Sequence, residues 1–211
     1  MKSIARFLVV GLCTAVFAGP ALYGQAESGI YFGLDAGIAL QEDVDIESPT
    51  LGSGTVEVEF DAGLRFDFIG GFRFTDSVAL ELQAGYVFNS VDLVGGLDPS
   101  DVGIDLDLHQ IPFTANLIYT FPLESRFKPF VGGGAGGSVA VAVGESSGET
   151  DTDDAFGFAY QGLAGFRFQV TDRVHLGLVY KFLGTTGYEF DDFETDDTFN
   201  HMVGLSLSCT F

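Results

Sequence analysis

The chain contains no tryptophan, two methionines, two cysteines and six prolines among 211 residues. Only nine residues are Lys or Arg, against thirty Asp or Glu, for a formal net charge of −21. The shortage of basic residues argues against a nucleic-acid partner: a polyanion would be repelled, and no basic stripe exists to release its counterions. Such a charge attracts cations or a basic partner instead. The shortage of cysteine excludes a disulfide framework. Cys13 falls in the leader described below, so Cys209 has no partner within the mature chain and reads as a small apolar residue. Long apolar runs are missing too. The clearest, residues 7–18, is too short for a spanning helix, which needs about 20 residues.

What is present is glycine (29) and phenylalanine (22), a composition of strands and turns rather than helices. The mean hydropathy of +0.29 suggests a membrane protein, whereas the charge suggests a very soluble one. Both hold if apolar and charged residues are sorted into separate segments. The first residues form an address: Lys2 and Arg6, the apolar core 7–18, a Gly19-Pro20 break, then small residues at Gly24 and Ala26. This three-part layout predicts a signal peptide over 1–26 and a single domain over 27–211. A lipoprotein signal is excluded, because Leu12 rather than a small residue precedes Cys13. Any membrane crossing by the exported chain falls to strands.

Residues 56–74 alternate almost without fault. Even positions carry Val56, Val58, Phe60, Leu64, Phe66, Phe68, Phe72 and Phe74, and six of the nine odd positions are charged. Period 2 marks a strand with one apolar and one polar face, and its length exceeds that of ordinary globular strands. Seven further segments follow the same grammar, at about 30–40, 78–91, 104–121, 130–143, 156–170, 174–183 and 199–211. In the segment 104–121 the phase changes near His109-Gln110, which predicts a β-bulge there. Short connections (75–77, 122–129 and 171–173) alternate with long polar stretches near 41–55, 92–103, 144–155 and 184–198. The long stretches and their borders hold twenty of the thirty acidic residues and no Lys or Arg. Eight strands with four long and three short connections put both termini on the short-turn side, the periplasmic side of an outer-membrane barrel. The expected fold is all-β: an eight-stranded antiparallel up-and-down transmembrane β-barrel.

Alternation alone does not say which face meets lipid. The leader, the final aromatic Phe211 and the many glycines on the polar faces (Gly33, Gly37, Gly132, Gly134, Gly136, Gly204) favour apolar outside and polar inside. The interior of eight strands is only just wide enough for side chains, and glycines on some strands leave room for long polar residues on others. The last strand HMVGLSLSCTF, with HQIPFTANLIYTF (109–121), KPFVGGGAGG (128–137) and GLAGFRFQVTDRVHLGLVYKF (162–182), resembles the OmpA-like, opacity-protein-like small outer-membrane barrels. The resemblance covers the whole mature chain as a barrel domain, with no counterpart of OmpA's peptidoglycan-binding domain. It implies residence in the bacterial outer membrane among lipid and lipopolysaccharide. It also implies delivery by periplasmic chaperones and the barrel-assembly machinery, with Phe211 as the C-terminal assembly signal. It implies fold and place much more than activity.

Inside such a barrel, Asp35, Arg65, Asp67, Glu81, Arg167 and Lys181 share the polar phase with Gln83, Asn116 and Gln161. They form either a gated ion path or a polar core of mutually paired charges. The acidic stretches, such as Asp151-x-Asp153-Asp154, suit diffuse attraction of divalent cations, but none has EF-hand spacing. No cofactor or ordered metal site is expected. A lipid A-modifying hydrolase needs a nucleophile beside a base, and none of His109, His175 and His201 lies in a His-x-Ser arrangement. The chain therefore reads as a non-enzymatic structural or surface-interaction protein. The alternatives are a narrow channel, a surface adhesin and, least favoured, a lipid A-modifying enzyme.

Overall fold

A computed structural model describes residues 29–47, 55–99, 104–146, 149–190 and 194–211. The expected leader, Asp101 and the acidic residues 191–192 lie outside them. The described residues form β1 (Gly29–Gln41), β2 (Val44–Glu47), β3 (Thr55–Phe60), β4 (Gly63–Arg73), β5 (Val78–Val94) and β6 (Ile104–Thr120). They continue as β7 (Phe127–Ser146), β8 (Glu149–Gln169), β9 (Val174–Thr185), β10 (Glu194–Thr195) and β11 (Thr198–Thr210). Eight of these close a barrel in the order β1-β4-β5-β6-β7-β8-β9-β11, every neighbour antiparallel, with β11 returning to β1. Closure leaves no strand edge in the barrel wall.

The period-2 pattern sorts the wall into two faces. Leu82 is 61 % exposed and Leu205 68 %, whereas their neighbours Gln83 and Ser206 are both 5 % exposed. Apolar side chains therefore stand on the outside and polar ones in the bore. Two of the short connections use the same device. Thr75 Oγ1 accepts the backbone N–H groups of Ser77 and Val78, and Thr171 Oγ1 accepts those of Arg173 and Val174. An aromatic belt marks each end of the apolar band. At the turn end Phe72 packs on Phe74, Tyr119 on Phe121, and Phe211 on Phe32. At the other end, Tyr86 and Phe88 pack on His109, and Tyr180 and Phe182 on His201.

Beyond the second belt the wall continues as an extension. Here β2 and β3 form a hairpin, β10 adds to β2, and β3 pairs with the far end of β5. Much of what the sequence presents as long polar connections is strand: β7 runs to Ser146 and β8 resumes at Glu149, within the stretch 144–155.

Two expectations about strand continuity are overturned. Residues 56–74 are not one strand: the chain breaks between β3 and β4 at Asp61-Ala62, and Asn89 Nδ2 bonds the freed Asp61 carbonyl at 3.0 Å. The break reverses the facing, so Val58 is buried on the inside while Leu64 and Phe66 stand outside. The bulge expected at His109-Gln110 is absent. β6 keeps one register against β5 and β7 across that point, from Asp107↔Ser90 to Phe113↔Ala84. Instead the bulge lies in β5 at Asp92, opposite the Glu59/Phe60 step of β3. The physical reason is the same in both places. Below the second belt apolar residues face out; above it they face in. β6 swaps its apolar face without a break, and β3–β4 needs a break to keep theirs in step.

Candidate functional site

The bore and the extension are the two places where side chains converge. In the middle of the bore, Arg65 Nε donates to both carboxylate oxygens of Asp67, at 3.0 and 3.1 Å. Lys181 Nζ bridges Asp67 Oδ2 at 2.8 Å and Asp35 Oδ2 at 2.7 Å. Amides complete the layer. Gln83 donates to Asp67 Oδ1 at 2.8 Å, and Gln161 Nε2 reaches Gln83, Thr114 and Asn116 at 3.1, 2.9 and 2.7 Å. Facing small residues make room. A Cβ at Gly85 would collide with Asp67 Oδ1, and one at Gly134 with Asn116 Oδ1.

Nearer the turns, Arg167 Nη2 donates to Glu81 Oε1 at 2.7 Å, and Tyr31 donates to the same oxygen at 2.5 Å. The guanidinium also lies 4.4 Å from the centre of the Phe130 ring, a cation–π contact. All six charged residues singled out from sequence therefore point into the bore, but in two groups. Asp35, Arg65, Asp67 and Lys181 touch one another, and Glu81 and Arg167 form a separate pair. Three cations meet three anions, each with an opposite charge within 3.0 Å. Charges out of water persist only in such company. Tyr31 and Thr114 belong to these groups and are missed by a search for charge alone. Their inward phase on β1 and β6 is the signal that finds them.

Toward the extension the bore changes character. Asn200 donates to Gln41 at 3.3 Å, and Thr185 pairs with Thr198. Gln110 Nε2 and Oε1, Ser138 Oγ, Asn200 Oδ1 and the Tyr188 hydroxyl are buried without a hydrogen-bond partner. Tyr188 faces Ser138, Thr185 and Gln110 yet makes a bond of ordinary geometry to none, and its burial pushes the phenol above its usual range. Tyr188 and Phe190 pack with Ala140 and Ala155 as a lid on this layer. Above the lid lies a part-enclosed apolar cavity of about 320 Å³. Its residues were also missed, although the acidic stretches carry the signal. Val44-x-Ile46 and Tyr188-x-Phe190 are apolar alternations inside them, and Val58 and Phe60 belong to the alternating segment 56–74.

The histidines lie elsewhere. His109 Nδ1 is 2.7 Å from the Tyr86 hydroxyl, and His201 Nδ1 is 2.8 Å from that of Tyr180, with His201 Nε2 2.8 Å from Glu42. Neither places a serine hydroxyl against the imidazole. Among the described residues no three carboxylate, imidazole or thiol side chains are grouped to hold a metal.

A closed eight-stranded barrel with an apolar exterior between aromatic belts has the build of a membrane-spanning barrel. The family of outer membrane protein beta-barrel domains matches residues 9–211. The chain belongs to that family. Its fold is similar to that of Neisserial surface protein A, at 20 % identity, covering 90 % of this chain and 100 % of that one, with a TM-score of 0.55. It is also similar to the outer membrane protein OprG of Pseudomonas aeruginosa (18 %, 85 % and 95 %, TM-score 0.53). A third likeness is to a major outer membrane protein of Thermus thermophilus (10 %, 86 % and 99 %, TM-score 0.53). A search of the curated proteins finds no match. Family and fold place this barrel in the lipid environment of the bacterial outer membrane, with its strands crossing the bilayer.

Proposed function

We propose that this outer-membrane barrel is closed to solutes and serves a structural and surface-interaction role. The turn end and both termini face the periplasm, and the extension with its acidic connections faces outward. The bore carries this reading. Its middle is filled by a charge-neutral group of two acids, two bases and four amide or hydroxyl side chains bonded to one another. Eight strands leave little room around such a group. The outward acidic surface then attracts divalent cations diffusely, or a basic partner. Conductance of the refolded mature protein across a planar bilayer is the test. A flat baseline is expected, and stable unitary steps would overturn the reading. A narrow gated path is the second reading. It is favoured by the unpartnered buried atoms along the bore, which include Asp35 Oδ1, Arg65 Nη1 and Arg167 Nε besides those under the lid.

Phe211 is proposed as the assembly signal read by the barrel-assembly machinery. Its ring packs edge-on against Phe32 at 5.8 Å, and its N–H bonds the Ile30 carbonyl at 3.1 Å. Deletion of Phe211 is expected to lower the amount of folded, heat-modifiable barrel in the outer membrane. Unchanged amounts count against it.

A further inference from the structure

The cavity of the extension carries an inference that holds whether or not the bore conducts. We propose that it binds a small, neutral, largely hydrocarbon molecule. Its walls are apolar side chains, among them Val44, Ile46, Val58, Val94, Leu106 and Phe190. Its volume of about 320 Å³ is at the lower end for small-molecule sites, which run from about 300 to 1,000 Å³. At roughly 30 Å³ per water-sized group, it holds about ten such groups.

The chemistry of the ligand follows from the few polar groups on the wall. Asp107 accepts a hydrogen bond from Ser90, Thr195 accepts one from the Tyr188 N–H, and Thr198 is paired with Thr185. Thr152 and Asp153 also have partners. The unpartnered Tyr188 hydroxyl is turned toward Ser138, Thr185 and Gln110 beneath the lid. A polar ligand would therefore bury its own donors and acceptors against a largely apolar wall whose other polar groups have partners, and unmatched burial of polar groups is costly. Charge selects further. Asp107 and Asp153 stand in the wall of a strongly acidic chain, so a carboxylate or phosphate on the ligand is repelled. A cationic head would be drawn to the surface, but its desolvation in an apolar cup works against entry. The lid of Tyr188 and Phe190 gives the cavity a floor, which makes it a cup. An apolar lining also lacks contact atoms on its open side, and a hydrocarbon occupant supplies them.

The experiment uses the mature barrel in lipid nanodiscs, because detergent would compete for the cup. A neutral aryl diazirine is photolysed in the sample, with its carboxylate and trimethylammonium analogues in parallel, and labelled peptides are mapped by mass spectrometry. The neutral probe is expected to label peptides containing Leu106, Ala142 and Phe190 as well as the lipid-facing Leu82 and Leu205. Ala142→Trp, which fills the cup, is expected to cut the cup labelling about tenfold while leaving Leu82 and Leu205 labelling unchanged. Heat-modifiable migration confirms that the variant barrel is folded. Should the variant not fold, the same loss is read in the native protein by adding excess unlabelled ethylbenzene. Both charged analogues are expected to label the cup at least about tenfold less than the neutral probe. Cup labelling that survives both filling and competition overturns the site. Equal labelling by either charged analogue overturns the ligand class.

Discussion

The spanning barrel and the extension are built from the same alternating strands turned inside out. In the barrel, Leu82 and Leu205 stand outside while Asp67, Gln83 and Lys181 fill the bore. In the extension, Val44 and Val58 are buried inside while Asp43 and Asp45 stand outside. The difference is the surrounding medium. Lipid accepts apolar side chains and leaves the narrow bore to polar groups that satisfy one another. Water beyond the bilayer reverses the preference, and the apolar face turns in. A wall that continues through both media must exchange its faces at the boundary. The two Tyr–His pairs lie at that boundary.

The largest expected effect comes from emptying the polar side of the barrel. Among the described residues, Asp67 is the one carboxylate that touches both Arg65 and Lys181. Asp67→Ala leaves two buried cations with one carboxylate near them, a loss of about 3–5 kcal/mol by comparison with other broken buried pairs. Asp45→Ala, on the watered face of the extension, should change stability by less than about 0.5 kcal/mol. Urea unfolding of the barrel in lipid vesicles compares the two. Equal effects would mean that the bore is wetter than its contacts indicate.

The next effect tests the outer face. Leu82→Arg and Leu205→Arg should each cost about 2–4 kcal/mol if they lie near the middle of the bilayer. Small polar changes at Gln83 and Ser206 should cost less. The same charge introduced on the inward face of the extension, as Val58→Arg, should open the extension to protease and leave the barrel folded. If Gln83 and Ser206 prove the more sensitive positions, the barrel is facing the other way.

The sequence makes the eight barrel strands legible because each keeps one apolar face for ten or more residues. It also places Asp35, Arg65, Asp67, Glu81, Arg167 and Lys181 on the inward phase. What alternation does not contain is the medium beside each face. Residues 56–74 look faultless because a break at Asp61-Ala62 and a change of medium cancel each other in the pattern. His109-Gln110 looks faulty because the medium changes there and the strand does not. The pairing of the six charges into one group of four and one of two depends on the stagger between strands, such as Asp35 opposite Asp67 and Gly177 opposite Arg167. A single strand does not encode that stagger. The cup is hidden for a further reason: its walls combine the far ends of strands read from the sequence, such as Val58, Leu106 and Ala142, with residues of the long polar stretches, such as Val44 and Phe190, and no single segment shows that they meet.

The smallest effect is confined to the lid, where the two regions meet. The Tyr188 hydroxyl is buried and has no hydrogen bond of ordinary geometry. Removing it in Tyr188→Phe should therefore change stability by no more than about 1 kcal/mol at neutral pH. Alkali separates the two proteins. Burial raises the phenol above its ordinary value of 10.0 in the folded state, so the folded lid binds the proton more tightly than the unfolded lid does. The stability gained from this is fully present below the unfolded value and is lost as pH rises through the folded one. Above pH 10 the native extension should become progressively more sensitive to protease within 184–198, while the barrel keeps its heat-modifiable migration. The Phe variant has no phenol to ionise there and should resist to higher pH. If both open at the same pH, another group governs the lid, and Tyr188 is packing and nothing more.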